Sequence, residues 1–227
     1  MAAQVKELTR ERDKWKIRQI VNQSQKFNTE TEEMGRKKSV QYDQVLQRQR
    51  NLIYETRANL LDGAKVEEET LAAIAEENIE SYLDERKTLE LPDLNRYILD
   101  NLSYSLDGRI KAEDLADYGK VKSYLADCFH HGLDRQQERI GNRECYEQFV
   151  REATLKAVDD GWVELIDYLE QFKYAVSGRA TAERNIMFEY QNEAFDLYLD
   201  TEKMVKKNII RNILMSDVKA DKNNHPV

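Results

Sequence analysis

The chain has 227 residues with only 2 prolines and 8 glycines, and 34% of its side chains are charged. That composition excludes strand-and-turn architectures and predicts an all-α fold of long helices with broad solvated faces. The formal charge of −8 argues against nucleic acid as a partner, because neutralising phosphates needs an excess of Lys and Arg. Residues 1–62 lack proline and predict one long helix. Val5, Leu8, Trp15, Ile20, Phe27 and Met34 recur roughly every seven residues as a thin apolar stripe. Between Asn22 and Ser39 only Phe27 and Met34 are large and apolar, so this stretch must be supported from elsewhere and reads as a spar for other domains. The stripe thickens at Tyr42, Val45, Leu46, Leu52, Ile53 and Leu60, and Asp62-Gly63 supplies a stop.

Residues 63–141 predict a small helical module. An acidic helix runs from Val66 to Arg86, and a second from Leu91-Pro92-Asp93 through Leu106, with proline at its entry. Asp107-Gly108-Arg109 is a turn, Lys111–Tyr118 a short segment, and Val121 to about Arg139 a further helix broken by Gly141-Asn142. Residues 142–216 carry the clearest amphipathic signal. Tyr146, Phe149, Val150, Ala153, Ala157, Val158, Trp162, Leu165, Ile166, Leu169, Phe172 and Val176 follow three-and-four spacing. A polar tip, Ser177-Gly178-Arg179-Ala180-Thr181, leads to a return helix from about Met187 to Met215. Its apolar set is Phe188, Ala194, Phe195, Tyr198, Leu199, Val205, Ile209, Ile213 and Leu214. A short connection forces the two helices antiparallel, so their stripes can zip together. Residues 217–227 read as a frayed polar tail.

Few residues offer chemistry. Gly119-Lys120 is followed by Val121 and lacks the glycines of a phosphate-binding loop, so the chain alone is not expected to hydrolyse ATP. Cys128 and Cys145 lack the spacing of a zinc site and read as packing thiols. His130-His131 has only Asp127 at a supporting offset, half of what a helical-bundle metal site requires, so no metal is expected. Apolar runs are too short for a spanning helix, and Met1–Arg12 is too polar for a secretory leader. Membrane contact is expected only through a partner.

Two stretches carry a family resemblance. The first is Gly35-Arg36-Lys37-Lys38-Ser39-Val40-Gln41-Tyr42-Asp43-Gln44-Val45, continued by Gln49-Arg50, Ile53-Tyr54, Arg57 and Leu61-Asp62. The second is Leu155, Asp159 and Trp162, then Arg179 at the tip and Glu189-Tyr190 beyond it. At this spacing they resemble the scaffold helix and two-helix finger of SecA, the motor that pushes secretory proteins through the bacterial membrane channel. The resemblance covers roughly Val21 to Ser216. It implies a scaffold helix over 1–62, a helical wing over 63–141 and a two-helix finger over 142–216, as the C-terminal helical part of a larger translocase.

By the same resemblance, Arg36, Lys37, Tyr42, Asp43, Gln49 and Arg50 face the motor domains, and the fingertip residues Arg179 and Thr181 meet polypeptide and channel. No cofactor is implied for this chain; ATP and magnesium would belong to the missing motor domains. Implied partners are the nucleotide-binding domains of the same full-length protein, a SecY-type channel and preprotein substrate, with the protein cytoplasmic and peripheral at the inner face of the bacterial membrane. Gln44, Thr181 and Ile186 depart from the family pattern, and no cysteine-rich zinc tail follows Ser216. These departures point to an accessory SecA rather than the housekeeping motor. Two other classes stand beside this reading. A structural or adaptor protein that binds partners through long amphipathic helices would need denser heptads than 22–39 offers. A bundle enzyme or carrier would need paired Glu-x-x-His sets, which are missing.

Overall fold

Helices follow one another through the chain with no strand among the described residues, which are 2–86, 88–177 and 186–218 of the computed structural model. They are α1 (Ala2–Leu61), α2 (Glu68–Asp84), α3 (Leu91–Asn101), α4 (Tyr118–Ile140), α5 (Arg143–Ser177) and α6 (Ile186–Leu214), with a 3-10 turn at Ala112–Ala116. The all-α expectation holds.

Helix α1 runs unbroken for 60 residues. From 18 to 41 every side chain whose burial is described lies in solvent. Local support there comes from i,i+4 ion pairs such as Lys26–Glu30, Arg36–Glu32 and Lys37–Glu33, each worth only a few tenths of a kcal/mol, roughly 0.2–0.5. From Tyr42 onward the helix lies against α5 and α6. Gly63 ends the run at φ +90°, where Ala64 N–H turns back to the Asn59 carbonyl at 3.0 Å. An L side chain would be strained at that angle.

Helices α2, α3 and α4 share one core with the base of the α5–α6 hairpin. Leu71, Ile79, Leu94, Ile98, Leu125 and Phe129 bury against Ile213 and Leu214. Gln136 on α4 closes this core. Its Nε2 donates to the carbonyls of Ile213 (2.9 Å), Leu214 (3.1 Å) and Ser216 (2.9 Å), which the end of α6 would otherwise leave unmatched. Lys122 bridges Glu76 and Glu80 at 2.6 Å each and ties α4 to α2.

Two boundaries differ from the sequence expectation by three residues or more, each for a local reason. Helix α3 stops at Asn101 rather than Leu106. The Asn101 amide donates to its own helix's Tyr97 carbonyl at 2.9 Å, and Leu102, with φ −119°, leaves the spiral to bury in the core. Helix α4 starts at Tyr118 rather than Val121, because the Asp117 carboxylate accepts from Lys120 N–H at 3.2 Å as an N-cap.

The loop between α3 and α4 is pinned at Asp107. Burial alone would raise this carboxyl, but hydrogen bonds from the Tyr124 hydroxyl, the Arg109 N–H and the Arg109 guanidinium outweigh it and hold the group at about 2, against an ordinary 3.8. A lowered value means the stabilisation is complete above the ordinary range and is lost as pH falls toward about 2. A carboxyl carbon titration should place Asp107 near 2, and Tyr124→Phe should move it upward. An unchanged midpoint in that variant would show that Tyr124 is not what holds it.

In the hairpin the α6 residues facing α5 are Tyr190, Ala194, Leu197 and Thr201, whereas Phe188, Phe195 and Leu199 lie exposed on the other side. The expected zip is real, but its α6 register differs. Near Gly161 the two helices approach closely: a Cβ on Gly161 of α5 would come within 2.4 Å of Val205 Cγ2 and 3.5 Å of Thr201 Cγ2, so β-branched residues stand opposite it, while Tyr190 fills the wider end of the seam against Phe172. Thr201 satisfies its own hydroxyl on the Leu197 carbonyl at 2.8 Å. No described helix is long and apolar enough to cross a membrane.

Candidate functional site

The two motif stretches, far apart in sequence, meet along one seam where the C-terminal third of α1 lies on the hairpin. Tyr42, only 5% exposed, sets its ring edge-on to Tyr190 at 4.6 Å between centroids, and Phe172 stacks on the far side of Tyr190 at 5.8 Å. One α-helical face further along, the buried Gln49 donates from Nε2 to the Ala194 carbonyl at 2.7 Å. Tyr54 meets the motif residue Trp162 edge-on at 6.1 Å, with Arg50 over the Tyr54 ring at 5.9 Å. Arg57 closes the seam with a 2.8 Å ion pair to Asp159. Positions 42, 49, 53, 57 and 60 fall on one face of α1 because steps of seven, four and three return to the same side of a helix.

This geometry redistributes the expected contact residues. Tyr42 and Gln49 turn inward onto the hairpin, and the packing of the chain itself occupies their side chains. Asp43 reaches Lys173 of α5 at 3.5 Å, and that same Lys173 ammonium sits 5.6 Å from the Tyr42 ring centroid. Arg36 and Lys37 remain outward and, among the described residues, pair with Glu32 and Glu33 one turn back. Arg50 is exposed along its length apart from the Tyr54 ring. Arg179 and Thr181 lie outside the described residues.

The seam residues that sequence reasoning left out of its candidates are Tyr54, Arg57, Asp159 and Tyr190. All four stand in the motif stretches, so the signal was present; what a linear pattern does not give is which motif residue touches which. Beside Arg57 and Asp159 the seam opens into a groove of about 650 Å³ lined by Tyr54, Ala58, Leu61, Trp162 and Val163. Its Leu61 and Val163 side chains are exposed, so the edge of the seam presents apolar surface.

Tyr190 has one unusual property. Its hydroxyl is shut off from water without a hydrogen-bond partner among the described residues. Burial first, then the neighbouring Tyr42, Asp43 and Glu170, push its phenol up to about 12. Removing an orphaned polar atom while keeping the ring should cost nothing. Tyr190→Phe should therefore leave stability unchanged or raise it by up to about 1 kcal/mol in chemical denaturation. A clear loss would mean that the hydroxyl finds a partner in solution. Among the described residues no group of three or more His, Cys, Asp or Glu side chains is placed to hold a metal.

The model of the SecA Wing and Scaffold domain matches residues 13–217. Protein translocase subunit SecA 2 of Staphylococcus aureus strain Newman is 30% identical over 212 residues, which is 93% of this chain and 27% of that protein. The same subunit from strains NCTC 8325 / PS 47 and Mu3 / ATCC 700698 matches with the same identity and coverage. The chain thus spans about a quarter of the length of these curated relatives. With the family match over almost its whole length and its motif residues meeting in one seam, the chain belongs to the SecA wing-and-scaffold family.

Proposed function

We propose that this chain is the scaffold, wing and two-helix finger of a SecA-type protein translocase, of the accessory kind, and that it transmits motor movement to polypeptide without catalysing anything itself. The observation that carries the reading is the contrast along α1. Its C-terminal third is fixed to the hairpin by Tyr42, Gln49, Tyr54 and Arg57, while residues 18–41 form helix with no packing partner for their described polar side chains beyond the next turn. A polar helix left in water is marginal by itself, so the free length is explained if nucleotide-binding domains rest on it. In this reading Arg36 and Lys37 face the motor, and Tyr42 and Gln49 fix the hairpin to the same helix. Asp43 and Arg50 lie at the border between the two. ATP and magnesium belong to the motor domains, and the protein works at the cytoplasmic face of the membrane through a SecY-type channel. Arg179 and Thr181 stand at the tip that meets preprotein.

Hydrogen exchange tests the load-bearing role of α1. In the isolated chain the amides of residues 18–41 should exchange orders of magnitude faster than those of 150–170, because few buried contacts hold the former. In the full-length protein, protection should rise first around Arg36 to Arg50. Equal protection of the two stretches in the isolated chain, or no change in the full-length protein, would remove the motor domains as the support.

A further inference from the structure

Between the α3–α4 loop and the flank of α4 lies a recess of about 180 Å³ to which Ser103, Ser105, Arg109, His131 and Arg135 all contribute. Its volume is below the range of ordinary cofactor and drug sites, about 300–1,000 Å³, and suits one small group. Arg135 is the odd member. Among the described residues its Nη2 is closed off from solvent without a hydrogen-bond partner, and its Nη1 reaches only the Ser103 hydroxyl at a long 3.4 Å. No carboxylate among the described residues pairs with it. The nearby arginines differ: Arg139 pairs with Asp217, and Arg109 with Asp107 and Asp127. Asp107 itself lines the recess, together with Tyr124 and Cys128, but its carboxylate already accepts from the Tyr124 hydroxyl and twice from Arg109.

Arg135 is half-buried, but an Nη2 shut off from water and left unmatched is costly, and an oxyanion with several acceptor oxygens is its natural complement. The Ser103 and Ser105 hydroxyls and the His131 imidazole on the walls can each donate to a tetrahedral group, which a planar carboxylate would use less fully. We propose that this recess binds a phosphate-type oxyanion, held chiefly by Arg135, with Ser103, Ser105 and His131 completing the shell. The phosphate could be carried by a free anion or by a phospholipid headgroup; the recognition chemistry is the same.

Amide chemical-shift titration of the full chain with inorganic phosphate, at ionic strength matched with chloride, is the direct test. Saturable shifts confined to residues 103–109 and 131–135 are expected, with acetate far weaker. Arg135→Gln should weaken phosphate binding by about tenfold or more, as expected when a charge-assisted hydrogen bond is lost. Ser103→Ala, which removes only a hydroxyl that accepts two long 3.4 Å hydrogen bonds, should weaken it by a few-fold and keeps the test decisive should Arg135→Gln fail to fold. Shifts that scatter over surface lysines without saturating, that acetate reproduces, or that survive in both variants would overturn the site. Flotation with phosphatidylglycerol vesicles against phosphatidylcholine vesicles distinguishes the source. Arg135-dependent flotation assigns the site to a headgroup, and saturable phosphate binding without flotation assigns it to a free anion.

Discussion

Trp162→Ala is expected to destabilise the chain by about 3–5 kcal/mol, toward the lower end because the ring borders an open groove. The indole is only 9% exposed and packs in the same cluster as Tyr42, Leu165, Leu169, Tyr190 and Ala194, with Tyr54 of α1 against its edge. Its removal takes away both the filling of that cluster and one of the contacts that fix α1 to the hairpin. Urea unfolding, with a double-mutant cycle against Tyr54→Ala, separates the two effects, since coupling appears only between residues in contact. A cost below about 1 kcal/mol would show that the seam holds without the indole.

Leu169→Ala is expected to cost about 2–5 kcal/mol, because the side chain is 0% exposed in the last third of α5 and its removal leaves a cavity that Tyr190 and Phe172 cannot fully fill. Tyr174→Ala, 79% exposed on the same helix, should stay within about 0.5 kcal/mol. Export assays on the full-length protein then distinguish shaft from tip. Leu169→Ala should lose export in step with lost stability, whereas Thr181→Tyr should change which substrates are exported at an unchanged melting temperature. If the Thr181 variant loses export only as far as it loses stability, the tip has no direct role in handling polypeptide.

Much of the helix plan was legible from periodicity, because the main interruptions coincide with a change in local chemistry. Gly63 ends α1 with a positive φ, Gly141 ends α4 with another, and Pro92 opens α3. Misjudged ends came from side chains that compete with the backbone: Asn101 shortened α3, and Asp117 started α4 early. The site was half legible. Spacing identifies an apolar face but not the element that covers it: it sets Tyr42 on the stripe of α1 without showing that Tyr190 lies against it, nor that Gln49 reaches the Ala194 carbonyl. On α6 the ambiguity was of register. Aromatic Phe188 and Phe195 look like core, yet Tyr190 and Ala194 are the residues buried there, and Thr201 and Val205 stand opposite Gly161.

The uneven anchoring of α1 gives the molecule the mechanics of a cantilever. Sixty residues of helix span about 90 Å at 1.5 Å per residue, and the part before Tyr42 projects roughly 60 Å beyond its clamp. For a beam clamped at one end, a tilt of about 5° at the clamp displaces the far end by roughly 5 Å, about one helical turn. A small rocking of the hairpin against Tyr42 and Gln49 would thus become a large stroke at the far end, and a push there would return to the hairpin as torque. Stiffness of the continuous helix, rather than any contact along its exposed length, sets how much of that stroke survives.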